Sequence, residues 1–174
     1  MSGVVWIFGL PCAGKTTIGD ALRDEFSRRS ITALRLDGDQ LRQGLCAGLG
    51  YSMEDRTENI RRAAHAARVA VTAGIPVIAS LITPTQALRR MAGEIIGERF
   101  LPVFIDCPAS ECARRDVKGL YAKAKAGQLT ALTGTDGAFE RPEPGVLTLQ
   151  TNEHTVAQCV EQVMGELVSR EWLR

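Results

Sequence analysis

Residues 9–17 read GLPCAGKTT, and residue types at this spacing are suited to holding a phosphate. The stretch fits G-x-x-x-x-G-K-[ST] and falls between an apolar run and a helical pattern, where that motif has to lie. Gly9 and Gly14 let the chain curl so that backbone N–H groups point inward, and the helix that follows adds about half a positive charge at its start. On this reading Gly9, Leu10, Pro11, Cys12, Ala13, Gly14, Lys15, Thr16 and Thr17 cradle ATP, with Lys15 on the outer phosphates and the Thr16 hydroxyl on Mg2+. Cys12 is unusual in such a loop: the helix start can lower a thiol pKa, and the plainer reading is a small residue that fits.

Holding a triphosphate does not say what becomes of it. A GTPase needs a base-reading N-K-x-D, which is absent, and 174 residues leave no room for the partner modules of a motor. A small-molecule kinase or a non-catalytic nucleotide binder remains. The stretch LDGDQLRQGL narrows the choice, because Asp37 and Asp39 flank a glycine that lets the backbone turn. Phosphoryl transfer needs a metal held across the phosphates and a carboxylate to orient or deprotonate the incoming hydroxyl. Asp37 and Asp39 suit those two jobs, with Lys15 as the third catalytic group; the structural alternative is a turn in which Asp39 caps the next helix.

The acceptor side is read from GYSMEDRTENIRR. Ser52 is placed to cap a helix on which Arg56 and Asn59, three apart, share a face. Arg42 and the flat ring of Tyr51 join them, a set that suits a small anionic ligand carrying a base. Arg61, Arg62 and Arg68 read equally well as a solvated helix face. Residues 111–134 form a basic stretch punctuated by Gly119, Gly127 and Gly134, expected to close as a lid, over about 114–140, and keep water from the transferred phosphoryl group; Arg115, near its start, is assigned to the ATP side.

These residues need a frame. Buried-strand patterns occur at 4–9, 33–37, 76–82, 101–106 and 145–151, and helical periodicity at 16–29, 55–73, 84–97, 110–127 and 154–172. The alternation predicts a doubly wound α/β fold, five mainly parallel strands with helices on both faces, in one domain over residues 1–174. Ligands of such sheets bind beyond the carboxyl ends of the strands, so the phosphate loop, DGDQLR, TPTQ and DCPASE should share one rim.

A net charge of +1 argues against nucleic acid or a membrane surface as partner, since such binders carry a basic excess. No apolar run reaches the roughly 20 residues of a spanning helix. The N-terminal residues have no basic region before the first strand, so a cytoplasmic location is expected. Five cysteines with no C-x-x-C spacing suggest reduced thiols, and His65 and His154 have no ligand spacing.

Taken together, VVWIFGLPCAGKTT, LDGDQLRQGL, GYSMEDRTENIRR, SLITP and RDVKGLYAKAKAGQLTALTGTDGAFERP resemble the adenylyl-sulfate kinase family, in order over about residues 4–150. The resemblance implies a P-loop NTPase fold and ATP-dependent phosphorylation of the ribose 3′-hydroxyl of adenosine 5′-phosphosulfate. It implies that Asp39 lies nearest that hydroxyl, that Arg42, Arg56 and Asn59 take the phosphosulfate, and that Tyr51 stacks on the acceptor adenine. Lys118 matches the lid lysine, and Ile82, Thr83 and Leu132 match acceptor-binding positions; Thr16, Asp37 and Asp39 would serve the metal. A homodimer is compatible with this picture. The departures gather on the acceptor side: Gln40 replaces an asparagine, Thr85 and Gln86 replace an aromatic and a cation, and Leu132 replaces an aromatic. They leave open a related acceptor, such as cytidine diphosphoramidate in capsule modification, and a nucleotide sensor on the same fold.

Overall fold

The computed structural model describes residues 2–117, 119–127, 133 and 139–173. Its elements are β1 (Val4–Gly9), α1 (Lys15–Arg28), β2 (Leu34–Asp37), α2 (Gly38–Gln43), α3 (Met53–Thr72), β3 (Val77–Ser80), α4 (Gln86–Ile96), β4 (Phe100–Asp106), α5 (Ala109–Arg115), α6 (Leu120–Lys125), β5 (Leu147–Gln150) and α7 (Val156–Ser169). The sheet order is β2-β3-β1-β4-β5, and every pairing is parallel.

β1 shows why the sheet is covered on both sides. All six of its residues are buried, so it reads as one apolar run instead of alternating with polar residues. Val5 and Ile7 face a core made with Ile18, Leu22 and Phe26 of α1 and Val160, Val163 and Leu167 of α7. Val4, Trp6 and Phe8 face the opposite core, with Ile60, Ala63, Ala64 and Ala67 of α3 and Leu88, Ala92 and Ile96 of α4. Burying side chains of this size contributes about 1.5–3 kcal/mol each, which makes β1 the strand least tolerant of a polar substitution.

The chain order places the site. β1 lies between β3 and β4, so the chain leaves β1 at the point where the sheet's order reverses. A crevice opens there beyond the strands' carboxyl ends. Two expectations need correction. The helix expected over 110–127 is two helices, broken where Asp116 takes φ 25 and Gly119 takes φ 64. Asp116 cannot continue α5 in that conformation; its carboxylate instead accepts from the N–H groups of Tyr121 and Ala122, satisfying the first turn of α6. The other concerns only the structural alternative weighed for Asp39: the cap of α2 is Asp37, whose carboxylate accepts from the N–H of Asp39 at 3.0 Å. Among the described residues no helix is long and apolar enough to cross a membrane.

Candidate active site

The longer helices α3, α4 and α7 begin with a hydroxyl cap, and α1, of comparable length, does not. Ser52, Thr85 and Thr155 cap α3, α4 and α7, whereas α1 starts after Gly14 at φ 107 with no side-chain cap and no acidic residue in its first turn. Its N–H groups and dipole are left for an anion. Gly9 is needed for packing: a Cβ there would sit 2.7 Å from the Ile105 carbonyl oxygen of β4. Lys15 donates through Nζ to the carbonyls of Gly9 and Leu10, at 3.1 and 2.7 Å, which holds the ammonium over the mouth of the loop.

The loop is braced from outside. Thr151 donates through Oγ1 to the Ala13 carbonyl at 2.7 Å, and Arg115 bonds the Ala13 and Thr151 carbonyls at 3.3 and 2.8 Å. Tyr121 reaches from α6 to donate to the Pro11 carbonyl at 3.2 Å. Burial pushes its phenol well above the ordinary range, so it stays a donor at any physiological pH. Cys12 takes φ 61 inside this braced turn, a left-handed conformation that is uncommon for a side-chain-bearing residue.

The acidic turn meets the loop. The Thr16 hydroxyl donates to Asp37 Oδ2 at 2.9 Å, joining the start of α1 to the end of β2, while Asp39 lies exposed one turn on. Arg35 lies behind Asp37, its Nη2 3.7 Å from Oδ2, and spans β2, β3 and α1 through Leu36, Ile78 and Asp20. Thr16 and the two aspartates are hard oxygen donors. Among the described residues no group of three or more His, Cys, Asp or Glu is set to hold a metal. A pair of carboxylates beside a phosphate loop fits Mg2+, which is usually bound by one or two carboxylates plus substrate phosphates.

Across the cleft, Arg42 stacks on Tyr51 with its guanidinium carbon 4.5 Å from the ring centroid, and it donates to the carbonyls of Leu49 and Gly50. Arg56 donates to the Tyr51 carbonyl at 2.9 Å and to Thr133 Oγ1 at 3.1 Å. Burial first, and Arg42 second, pull the Arg56 pKa downward, so the pair gains from an anion placed beside them. Asn59 is 4% exposed, and its Oδ1 has no hydrogen-bond partner. A buried amide oxygen without a donor marks a place where a ligand or water has a job.

A cavity of about 450 Å³ joins the two halves, lined by the phosphate loop, Asp37, Asp39, Arg42, Tyr51, Arg56, Asn59 and the Ile82 to Pro84 rim of β3. The sequence model of the adenylylsulphate kinase family matches residues 1–150. The chain belongs to that family. The adenylyl-sulfate kinase of Paraburkholderia xenovorans is 43% identical over 166 residues, covering 95% of this chain and 93% of that protein. That of Pseudomonas aeruginosa is 44% identical over 169 residues, 97% of this chain and 86% of that protein. The solved Mycobacterium tuberculosis APS kinase in complex with AMPPNP and APS has a TM-score of 0.92 at 38% identity, covering 95% of this chain and 97% of that one.

Within this kinase family frame the sequence-read residues fall into three groups. Pro11, Cys12, Gly14, Lys15, Thr16, Thr17, Asp37, Asp39, Arg42, Tyr51, Arg56, Asn59, Ile82, Thr83 and Arg115 line the one cavity. Gly9, Leu10 and Ala13 stand behind it and contribute carbonyls. Lys118, Leu132 and Gly134 lie outside the described residues. Arg61 and Arg62 pair with Glu58 on the helix surface, as the solvated-face reading had it. The sequence reading missed Arg35, Ser80, whose hydroxyl donates to the Lys15 carbonyl at 3.1 Å, and Thr151. Arg35 carried a signal, a cation between two leucines in a short strand; Ser80 and Thr151 carried none.

Proposed function

We propose that the chain transfers the γ-phosphoryl group of ATP to the ribose 3′-hydroxyl of adenosine 5′-phosphosulfate, giving the 3′-phosphorylated nucleotide and ADP. The observation that carries the reading is the single cavity with a phosphate loop at one side, an aromatic and two arginines at the other, and Asp37 and Asp39 between them. The loop N–H groups and Lys15 take the triphosphate, and Lys15 follows the charge as the phosphoryl group moves. Thr16, Asp37 and Asp39 would hold Mg2+, whose chemistry here is to neutralise charge on the phosphate oxygens. Arg42, Arg56 and Asn59 hold the acceptor's phosphosulfate while Tyr51 stacks on its base. Asp39 accepts the 3′-hydroxyl proton as the oxygen attacks phosphorus and the bond to ADP breaks. Lys118 and Leu132, within a lid over about 114–140, would close over both nucleotides in a one-domain enzyme.

The same reading carries a cytoplasmic location, and a homodimer to be sought by light scattering. The test is ADP release from MgATP against a panel of acceptors. Turnover with adenosine 5′-phosphosulfate, and none with cytidine diphosphoramidate or without acceptor, is expected. Turnover only with the cytidine compound would move the acceptor, and release with no acceptor at all would remove the transfer step.

A further inference from the structure

Arg89 lies on α4 outside the cavity lining, yet it is only 5% exposed. Its three hydrogen bonds all end on neutral oxygens. Nη1 donates to the Thr83 carbonyl at 2.9 Å, Nη2 to the Glu140 carbonyl at 2.8 Å and Nε to Gln86 Oε1 at 3.1 Å. The guanidinium carbon lies 4.9 Å from the ring centroid of Phe8 and 5.7 Å from that of Phe139. Burial pulls its pKa down, and Glu140 and Glu143 partly offset that pull. Removing a guanidinium from water is costly, so what it fixes is the question.

It fixes Thr83. This residue is 1% exposed and takes φ 42, an outlier for a β-branched side chain. Such a conformation persists only where its surroundings over-determine it. Two buried donors do so: Arg89 on the carbonyl, and Trp6 Nε1 on Oγ1 at 3.0 Å. On either side Ile82 and Pro84 line the cavity, and the Ile82 carbonyl accepts from the Gly9 N–H at 3.3 Å. Glu140 closes the far edge, donating its N–H to the Pro84 carbonyl at 2.9 Å and accepting from the Gln86 N–H at 2.6 Å.

We propose that Arg89 is a positioning residue for the acceptor: by holding Thr83 in its left-handed conformation it sets the Ile82 to Pro84 wall against which the acceptor nucleotide lies. The inference rests on the acceptor reading above, so the wild type is assayed first with adenosine 5′-phosphosulfate. Arg89→Lys keeps the charge, but an ammonium lacks the planar fork that reaches three separate oxygens. Its KM for the acceptor rises at least about tenfold, roughly 1.4 kcal/mol. Its KM for ATP stays within about twofold of wild type. Trp6→Phe removes the second donor to Thr83 and shows the same split to a lesser degree. If both KM values move together while the melting temperature falls, Arg89 is a structural residue and the proposal is overturned. Should Arg89→Lys not fold, Trp6→Phe decides, and an unchanged acceptor KM there overturns it. A wild type with no turnover on this acceptor sinks the functional reading and this one with it; wild-type turnover without the split sinks only the role of Arg89.

Discussion

Gly19 sits mid-helix in α1, where replacing glycine by alanine ordinarily stabilises by about 1 kcal/mol. Here the sign should reverse. A Cβ on Gly19 would lie 2.4 Å from Arg35 Nη2, 2.6 Å from its Cζ and 2.8 Å from Ser80 Oγ. The guanidinium must retreat by roughly 1 Å, and that carries bonds of 3.1 Å to Asp20 and to the Ile78 carbonyl beyond hydrogen-bonding reach. The side chain is only 10% exposed, so water does not replace them freely. A hydrogen bond to a charged group contributes about 1.5–3 kcal/mol. Losing one or two of them outweighs the helix gain and leaves Gly19→Ala about 2 kcal/mol less stable. For a chain of this length that lowers the melting temperature by about 4–8 °C. Gly165 supplies the control, since it lies within α7 and its added Cβ meets nothing within 4 Å. Gly165→Ala should raise the melting temperature. The assay is thermal unfolding of both variants beside wild type. A Gly19→Ala protein that melts at or above wild type would mean that Arg35 yields without loss, and the account of Arg35 as the clamp behind Asp37 would fall.

Other expectations test the site and its surroundings. Asp39→Asn should lower turnover by about 10²-fold or more, with affinity for an ATP analogue nearly unchanged; an unaltered rate removes Asp39 from proton transfer. Arg56→Ala leaves the Tyr51 and Thr133 oxygens without their donor and should raise the acceptor KM about tenfold, measured by initial rates; an effect confined to ATP contradicts its placement. Hydrogen bonds from Arg61 and then Arg62 hold the Glu58 carboxyl at about 2, and Arg114 and then Arg115 do the same for Glu111, both below the ordinary 4.5. The unfolded chain binds those protons first as acid is added, so the contribution is complete above about pH 4.5 and is lost as pH falls towards 2. Both pairs are on the surface and the effect is modest. Glu58→Gln should flatten the acid limb of the melting-temperature profile, and an unchanged slope refutes the assignment.

Wherever a local pattern decides structure, the sequence was enough. β1 spans Val4–Gly9 as its apolar run requires, and α1 begins at the motif lysine because Gly14 turns the chain into it. Of the four segments that strand alternation put on one rim, the cavity joins the phosphate loop, the acidic turn and the end of β3, whereas the start of DCPASE, at the end of β4, lines a second cavity with Phe139 and Arg141. The helix expected over 110–127 failed for a local reason, an aspartate at φ 25 whose side chain starts the next helix, which periodicity does not register. α2 was missed as an element because six residues are too few to display a helical period.

Arg115 apart, which the sequence assigned to the ATP side, the bracing partners of the site were hard to read for a different reason. Arg35, Arg89, Arg115 and Tyr121 act by donating to backbone carbonyls distant in sequence: Ile78, Glu140, Ala13 and Pro11. A carbonyl has no residue type, so no motif can announce it as a partner. What the sequence does carry is the donor out of place, a cation next to apolar residues in a strand or on a buried helix face. Arg35 stands between Leu34 and Leu36 in a strand, and Arg89 follows Leu88 on the buried face of α4 with Ala92 and Ile96. In a single unpaired chain such a residue reads as an error in the pattern. In the folded protein each is held where strand ends must be fixed relative to one another, Arg35 behind the carboxylate that meets Thr16 and Arg89 behind the wall at Thr83. A cation set beside apolar residues near a rim is therefore a sign of positioning, and the variants at Gly19 and Arg89 test it at two separate places.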